Sequence, residues 1–123
     1  MTRTELEYHI ASVYGIKPDY PFPGDFVTGV FRHPENRKWF AIAMQIPKSK
    51  LGIREDGLMD VVNIKYSPEV PLALHGYPGI YPAYHMNRKH WLTLALDGSV
   101  DTPTLTFLLE GSFHLTKNKR PAG

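Results

Sequence analysis

Between Lys38 and Ile46 the chain alternates in a way that only an extended strand can use. Phe40, Ile42, Met44 and Ile46 are interleaved with Trp39, Ala41, Ala43 and Gln45. A period of two sends the first set to one fully apolar face and the second to a mixed face. A second strand-like run, about Phe26 to Phe31, precedes it across His33-Pro34-Glu35-Asn36-Arg37. Two such runs joined by a short, turn-rich loop predict a β-hairpin.

Other elements follow from local signals. Leu6, Ile10, Val13 and Tyr14 fall on one helical face over about Thr4 to Tyr14, with Thr4 and Glu7 as a capping box and Gly15 as the stop. Lys17-Pro18-Asp19-Tyr20-Pro21-Phe22-Pro23-Gly24 cannot continue a helix, because its prolines lack donors and fix φ. A loop from Pro47 to Gly57 displays Lys48, Lys50 and Arg54, and a third strand is predicted over about Leu58 to Tyr66. Ser67-Pro68 opens a short helix that Gly76 stops. After a loop beginning Tyr77-Pro78-Gly79, Leu92, Leu94 and Leu96 share a face of a strand from Trp91 to Leu96. The last helix begins near Thr102-Pro103, buries Leu105, Leu108, Leu109 and Ser112, and ends near Leu115. This α-β-β-β-α-β-α order predicts an α+β fold, a mainly antiparallel sheet with helices packed on it. Residues 1–116 are expected to form one domain, and 117–123 a flexible basic tail.

Composition narrows the chemistry. Cysteine is absent, which removes disulfides, thiolate nucleophiles and thiolate metal sites together. No apolar run approaches the ~20 residues of a membrane-spanning helix, so a cytoplasmic protein without membrane contact is expected. The net charge of +2 is unevenly placed. Residues 1–60 balance, 61–96 carry Lys65, Arg88 and Lys89 against Glu69, and 97–116 hold Asp97, Asp101 and Glu110 without a cation. Patchy basicity suits an anionic partner at one surface, not a nonspecific nucleic-acid coat.

One segment lacks any hydrophobic period. From Tyr81 to Trp91, aromatic, amide, imidazole and cationic side chains run together as YPAYHMNRKHW. A recognition loop has that composition. So does an irregular structural loop in which Tyr84 and Trp91 pack inward, His85 and Asn87 bond backbone groups, and Arg88 stays solvated.

The sequence resembles the MmcQ/YjbR family along essentially its whole length. The resemblance rests on Asn63-Ile64-Lys65 with Ser67-Pro68, Tyr77-Pro78-Gly79, Tyr84 through Trp91, and Leu96-Asp97-Gly98-Ser99-Val100, with support from Tyr20-Pro21-Phe22 and Arg37-Lys38-Trp39-Phe40-Ala41. The chain departs from the family in having Tyr66 where many relatives place Cys and Arg88 where many place Lys. The resemblance implies a CyaY-like α+β fold, likened to the double-wing DNA-binding domain of a phage transcription factor. It does not carry iron chemistry across, since an acidic ridge needs several carboxylates on the first helix and only Glu5 and Glu7 are there.

DNA binding needs cations for phosphates and polar or stacking groups for bases and sugars. Arg37 and Lys38 at the hairpin tip, Lys48 and Lys50 beyond it, and Arg88 and Lys89 supply the first; Tyr84, His85, Asn87 and Trp91 supply the second. The alternative is a small anionic ligand or protein held between Trp39, Tyr81, Tyr84 and Trp91, with Arg88 gripping the anion. A concave pocket beneath His85 would favour the ligand, and a basic ridge from the hairpin to Arg88 the DNA. Catalytic signals are weak. His85 and His90 stand five apart, off the i, i+4 spacing of a zinc helix, and no Gly-x-Ser-x-Gly elbow or phosphate-cradling loop occurs. A His85 acid/base step with Asp25 or Asp97 needs only proximity in space. A protein that is not an enzyme, without cofactor or metal, is expected.

Overall fold

The computed structural model describes residues 1–67 and 76–117. The predicted helix after Ser67 and the tail beyond Lys117 lie outside the described residues. Within them the elements run α1 (Arg3–Tyr14), β1 (Gly29–Arg32), β2 (Trp39–Pro47), a 3₁₀ turn (Lys48–Leu51), β3 (Leu58–Lys65), β4 (Ile80–Pro82), β5 (Trp91–Ala95) and α2 (Thr102–Thr116). All strand pairs are antiparallel, in the order β1-β2-β3-β5-β4. The fold is α+β, as the sequence predicts.

Thr2, not Thr4, caps α1: its hydroxyl accepts from the Glu5 amide, and the Glu5 carboxylate accepts from the Thr2 amide. Both threonines have a glutamate three residues on. The earlier box wins because it keeps Arg3 helical, four residues before Glu7, and the two side chains pair at 2.8 Å. Leu6 and Ile10 are fully buried, whereas Val13 is 58% exposed. The buried arc turns instead toward Tyr14, which stacks on Phe113 with ring centroids 4.2 Å apart. The first strand is shorter than predicted, starting at Gly29. The Asp25 side chain claims the amides of Val27 and Thr28 in a turn, and Phe26 is left in solvent.

Phe40 breaks the strand alternation. In β1–β2, Phe31 pairs with Ala41 and Arg32 with Trp39, so Phe40 is the extra residue of a bulge. Phe40 joins Ala41 and Ala43 in the core beneath the helices, while Trp39 joins Ile42, Met44 and Ile46 on the opposite face. The expected row of Phe40, Ile42, Met44 and Ile46 is therefore split between faces. At the bulge, the Lys65 amide donates to Ser112 Oγ at 2.9 Å, and that hydroxyl donates to the Phe40 carbonyl at 2.6 Å. A helix side chain thus replaces a ladder hydrogen bond between β2 and β3.

The main core lies between α1, α2 and one face of the sheet, where Phe31, Val62, Ile64, Leu92, Leu94 and Leu96 meet Leu105 and Leu109. Two stretches that carry the family resemblance meet at its edge. Gly79, at φ +81°, lies so close to Ser99 and Val100 that a Cβ there would sit 2.6 Å from Val100 Cγ2. The Tyr77 hydroxyl bonds Asp101, the N-cap of α2, at 2.8 Å.

The β1–β2 hairpin is tied to the end of α2. His33 is 1% exposed, packed between Phe40 and Phe113, with Nε2 2.8 Å from Thr116 Oγ1. Because that hydroxyl donates to the Ser112 carbonyl, Nε2 carries the proton and donates. Burial foremost holds this imidazole below its ordinary value, against the upward pull of Glu35. The unfolded chain accepts a proton here that the native state resists. Stability from this residue is complete above about pH 6.5 and falls as the pH drops below it, by at most ~1.4 kcal/mol per unit. Urea unfolding between pH 7 and 5 is expected to show that slope, and a His33→Phe variant a flatter one.

A two-sided candidate site at the 83–91 loop

The sheet face away from the helices has its own apolar cluster. Val30, Ile42, Met44, Ile46 and Val61 are packed there not by an α-helix but by Tyr84 and Met86 from the loop before β5, Trp91 at the start of β5 and Leu51 of the 3₁₀ turn. Two strand residues with polar side chains hold that loop down. Asn63 and Thr93 are fully buried cross-strand partners. Asn63 Nδ2 donates to the Tyr84 carbonyl at 2.9 Å, the Tyr84 amide donates to Thr93 Oγ1 at 2.9 Å, and Thr93 Oγ1 donates to Asn63 Oδ1. The ring satisfies the backbone of Tyr84 where water is excluded.

Beyond Tyr84 the chain divides its side chains between two surfaces. His85 adopts φ +60° and its ring packs tilted against Tyr84, centroids 3.9 Å apart at 52°. Asn87 Oδ1 accepts from the Lys89 amide at 2.8 Å, and the Asn87 carbonyl accepts from His90 and Trp91. This Asx turn commits the oxygen that bidentate pairing with adenine requires. Arg88 is exposed, with Nε on the Ala83 carbonyl at 3.3 Å, and Tyr66 donates to the Arg88 carbonyl. Tyr84 and Trp91 pack inward and Asn87 bonds backbone, as the structural reading of the loop predicts, but the His85 side chain bonds no backbone group among the described residues.

On one side, cations gather at one end of the sheet. Strand register places the hairpin bearing Arg37 and Lys38 at the same end as the Lys65–Trp91 pair and the Arg88-Lys89 turn. β2 and β5 are two strand spacings apart, about 10 Å. Lys117 joins them from the end of α2, where the hairpin's Asn36 donates to the Thr116 carbonyl. Among the described residues none of these cations is in an ion pair. Lys48 and Lys50 are not part of this group. They follow the far end of β2, a nine-residue strand spanning roughly 26 Å, and Lys48 is paired with Glu55 at 3.0 Å. Lys65 and Lys117 are additions that their positions in the sequence did not indicate.

On the other side lies a cleft of about 550 Å³ over β2. Ile42, Met44 and Ile46 form its floor, Tyr84, His85 and Met86 one wall, and Phe22, Asp25 and Trp39 the other. Phe22 and Trp39 meet edge to face, centroids 6.1 Å apart at 90°. The Thr28 amide foremost, with the Thr28 hydroxyl and the Val27 amide, holds the Asp25 carboxyl below the usual range, so it is ionised at neutral pH. Asp25 and His85 thus border one cavity, whereas Asp97 is engaged with Ser99 at a distant turn. Arg88 does not line this cleft. It borders a second cavity with Tyr66, Tyr81 and Leu92, so of the predicted aromatic walls Tyr81 stays with the arginine while Trp39 and Tyr84 line the cleft. Phe22, Met44 and Met86 enter the site unannounced, since isolated apolar residues carry no functional signal in a sequence.

A single antiparallel sheet with helices on one face and the pinned 83–91 loop on the other defines the class of this domain. The YjbR family model matches residues 11–115, and the chain belongs to the YjbR (MmcQ/YjbR) family. It is 35% identical over 117 residues to the uncharacterized protein YyaQ of Bacillus subtilis, covering 95% of this chain and 99% of that one. A Pseudomonas syringae protein of known crystal structure is 42% identical, with a TM-score of 0.92 over 95% of this chain and all of the other. A Deinococcus radiodurans protein with a DUF419 domain superposes at a TM-score of 0.67 and 29% identity, over 96% and 80% of the two chains. Among the described residues, no helix is long and apolar enough to cross a membrane.

Proposed function

We propose that this protein binds DNA by docking the basic end of its sheet on the phosphate backbone. The supporting observation is the convergence of Arg37, Lys38, Arg88 and Lys89, all exposed and without an ion pair among the described residues. Charges left unpaired on a rigid frame keep their full potential for phosphates. The frame is rigid at both contributing loops: Asn36 and His33 tie the hairpin to α2, and the Asn87 turn fixes the Arg88-Lys89 pair. Asn87 acts in this scheme as a positioning residue, and Tyr84 and Trp91 as packing beneath the loop.

Counterion release provides the test. Each phosphate contact contributes about 0.9 to the slope of log affinity against log salt. With a mixed-sequence duplex followed by fluorescence anisotropy, R88A/K89A and R37A/K38A are each expected to lower that slope by about 1.8. K48A/K50A, at the other end of β2, is expected to leave it unchanged. Lys89→Ala alone, which removes no side-chain hydrogen bond among the described residues, separates charge loss from loop damage. Unchanged slopes in both basic-end pairs, or loss confined to K48A/K50A, would refute the assignment.

A further inference from the structure

The cleft over β2 plays no part in phosphate docking, and its chemistry differs from that of the basic end. It combines the volume of a small-ligand site, a floor of aliphatic and thioether side chains, aromatic walls and one carboxylate. We propose that the cleft binds small amphiphilic amines, an aromatic or aliphatic body carrying a protonated amino group.

Charge decides between ligand classes. Among the described residues Asp25 is the one carboxylate lining the cleft, and no lysine or arginine lines it. One carboxylate oxygen, Oδ1, is committed to the Val27 and Thr28 amides at 2.8 Å each. The other, Oδ2, accepts from no backbone amide among the described residues, and beside apolar walls a carboxylate gains most from a charged donor. Phe22, Trp39 and Tyr84 present π-systems to the same space, and an ammonium group is attracted to such faces. The Arg32 guanidinium lies 6.0 Å from the Trp39 ring, but it is paired with Asp19 and does not line the cleft. An anionic ligand would meet like charge.

The walls are set before a ligand arrives. Tyr84 is fixed through its backbone by Asn63 and Thr93, His85 packs tilted against its ring, and Trp39 is turned into the cleft by the bulge at Phe40. Such preorganisation lowers the entropic cost of binding. His85 adds one donor or acceptor at the mouth.

Three indoles test the proposal: tryptamine, its neutral counterpart 3-ethylindole, and the anionic indole-3-propionate. At about pH 8 an alkylammonium group keeps its charge. In amide NMR titrations to low-millimolar ligand, tryptamine is expected to shift residues 42–46 and 84–86 and to bind at least about tenfold more tightly than indole-3-propionate. Asp25→Asn retains the Oδ1 acceptor for the Val27 and Thr28 amides, so the turn survives while the charge is lost. In that variant the two affinities are expected to converge to within about twofold. No shift with any probe, shifts elsewhere, equal or reversed preference in the native protein, or a preference that persists in Asp25→Asn each overturns the proposal.

Discussion

Asn63→Leu is expected to destabilise the protein by about 2–6 kcal/mol and to loosen the whole 83–91 loop, although Asn63 touches no solvent. Leucine fills nearly the same volume, so packing is a minor part of the loss. The cost comes from the Tyr84 carbonyl, left without a donor, and from the Thr93 hydroxyl, which still accepts from the Tyr84 amide but has no acceptor for its own proton in the sheet's second apolar cluster. At ~1–3 kcal/mol for each stranded group, two of them account for the range. Thr93→Val should be similarly damaging, since it strands the Tyr84 amide and Asn63 Oδ1. The two losses should not add, because both variants break one ring. Urea denaturation measures the energies, and hydrogen exchange at residues 84–91 the loosening. Additive losses would mean that the ring is not a unit. Both proposed activities depend on this anchor, so a folded Asn63 variant should bind duplex DNA and tryptamine more weakly, although residue 63 contacts neither.

What the sequence reveals here is what each element decides for itself. The stripe of Leu105, Leu108, Leu109 and Ser112 on α2, and the row of Leu92, Leu94 and Leu96 from β5 onward, are buried as periodicity requires. Phe40 defeats the same logic because its direction is set by a bulge against β1 and by Ser112, 72 residues away. Ile80–Pro82 reads as loop because proline cannot donate to a ladder, yet β4 is an edge strand, where that donor is not needed. The candidate site shows the same division. Arg37, Lys38, Arg88 and Lys89 are visible as charges, but their shared end, and the separation of Lys48 and Lys50 from it, follows from strand register. Within the 83–91 loop, composition alone could not assign His85 to the cleft, Arg88 to the opposite side and Asn87 to a turn. A positive φ at His85 and an Asx turn at Asn87 make those assignments.

Ser112→Ala is the sharpest test of the bulge, with an expected cost of about 2–4 kcal/mol for the loss of one oxygen atom. The hydroxyl accepts from Lys65 and donates to Phe40, so its removal strands a donor and an acceptor at the seam of β2 and β3. Alanine favours a helix interior more than serine does, so intrinsic propensity opposes the predicted loss and cannot produce it. The outcome also bears on the cleft. With Phe40 turned toward the helices, Trp39 faces Ile42 and Met44 and forms a cleft wall. A weakened seam lets Trp39 move. Ser112→Ala should therefore change tryptophan emission under native conditions and weaken tryptamine binding, while Lys89 and its salt-dependent contribution to DNA affinity stay nearly unchanged. A cost below about 1 kcal/mol would mean that Lys65 and Phe40 bond directly once the hydroxyl is gone, making the serine dispensable to the bulge. A large cost with unaltered tryptophan emission would separate the seam from the cleft, leaving the orientation of Trp39 to the β1 register alone.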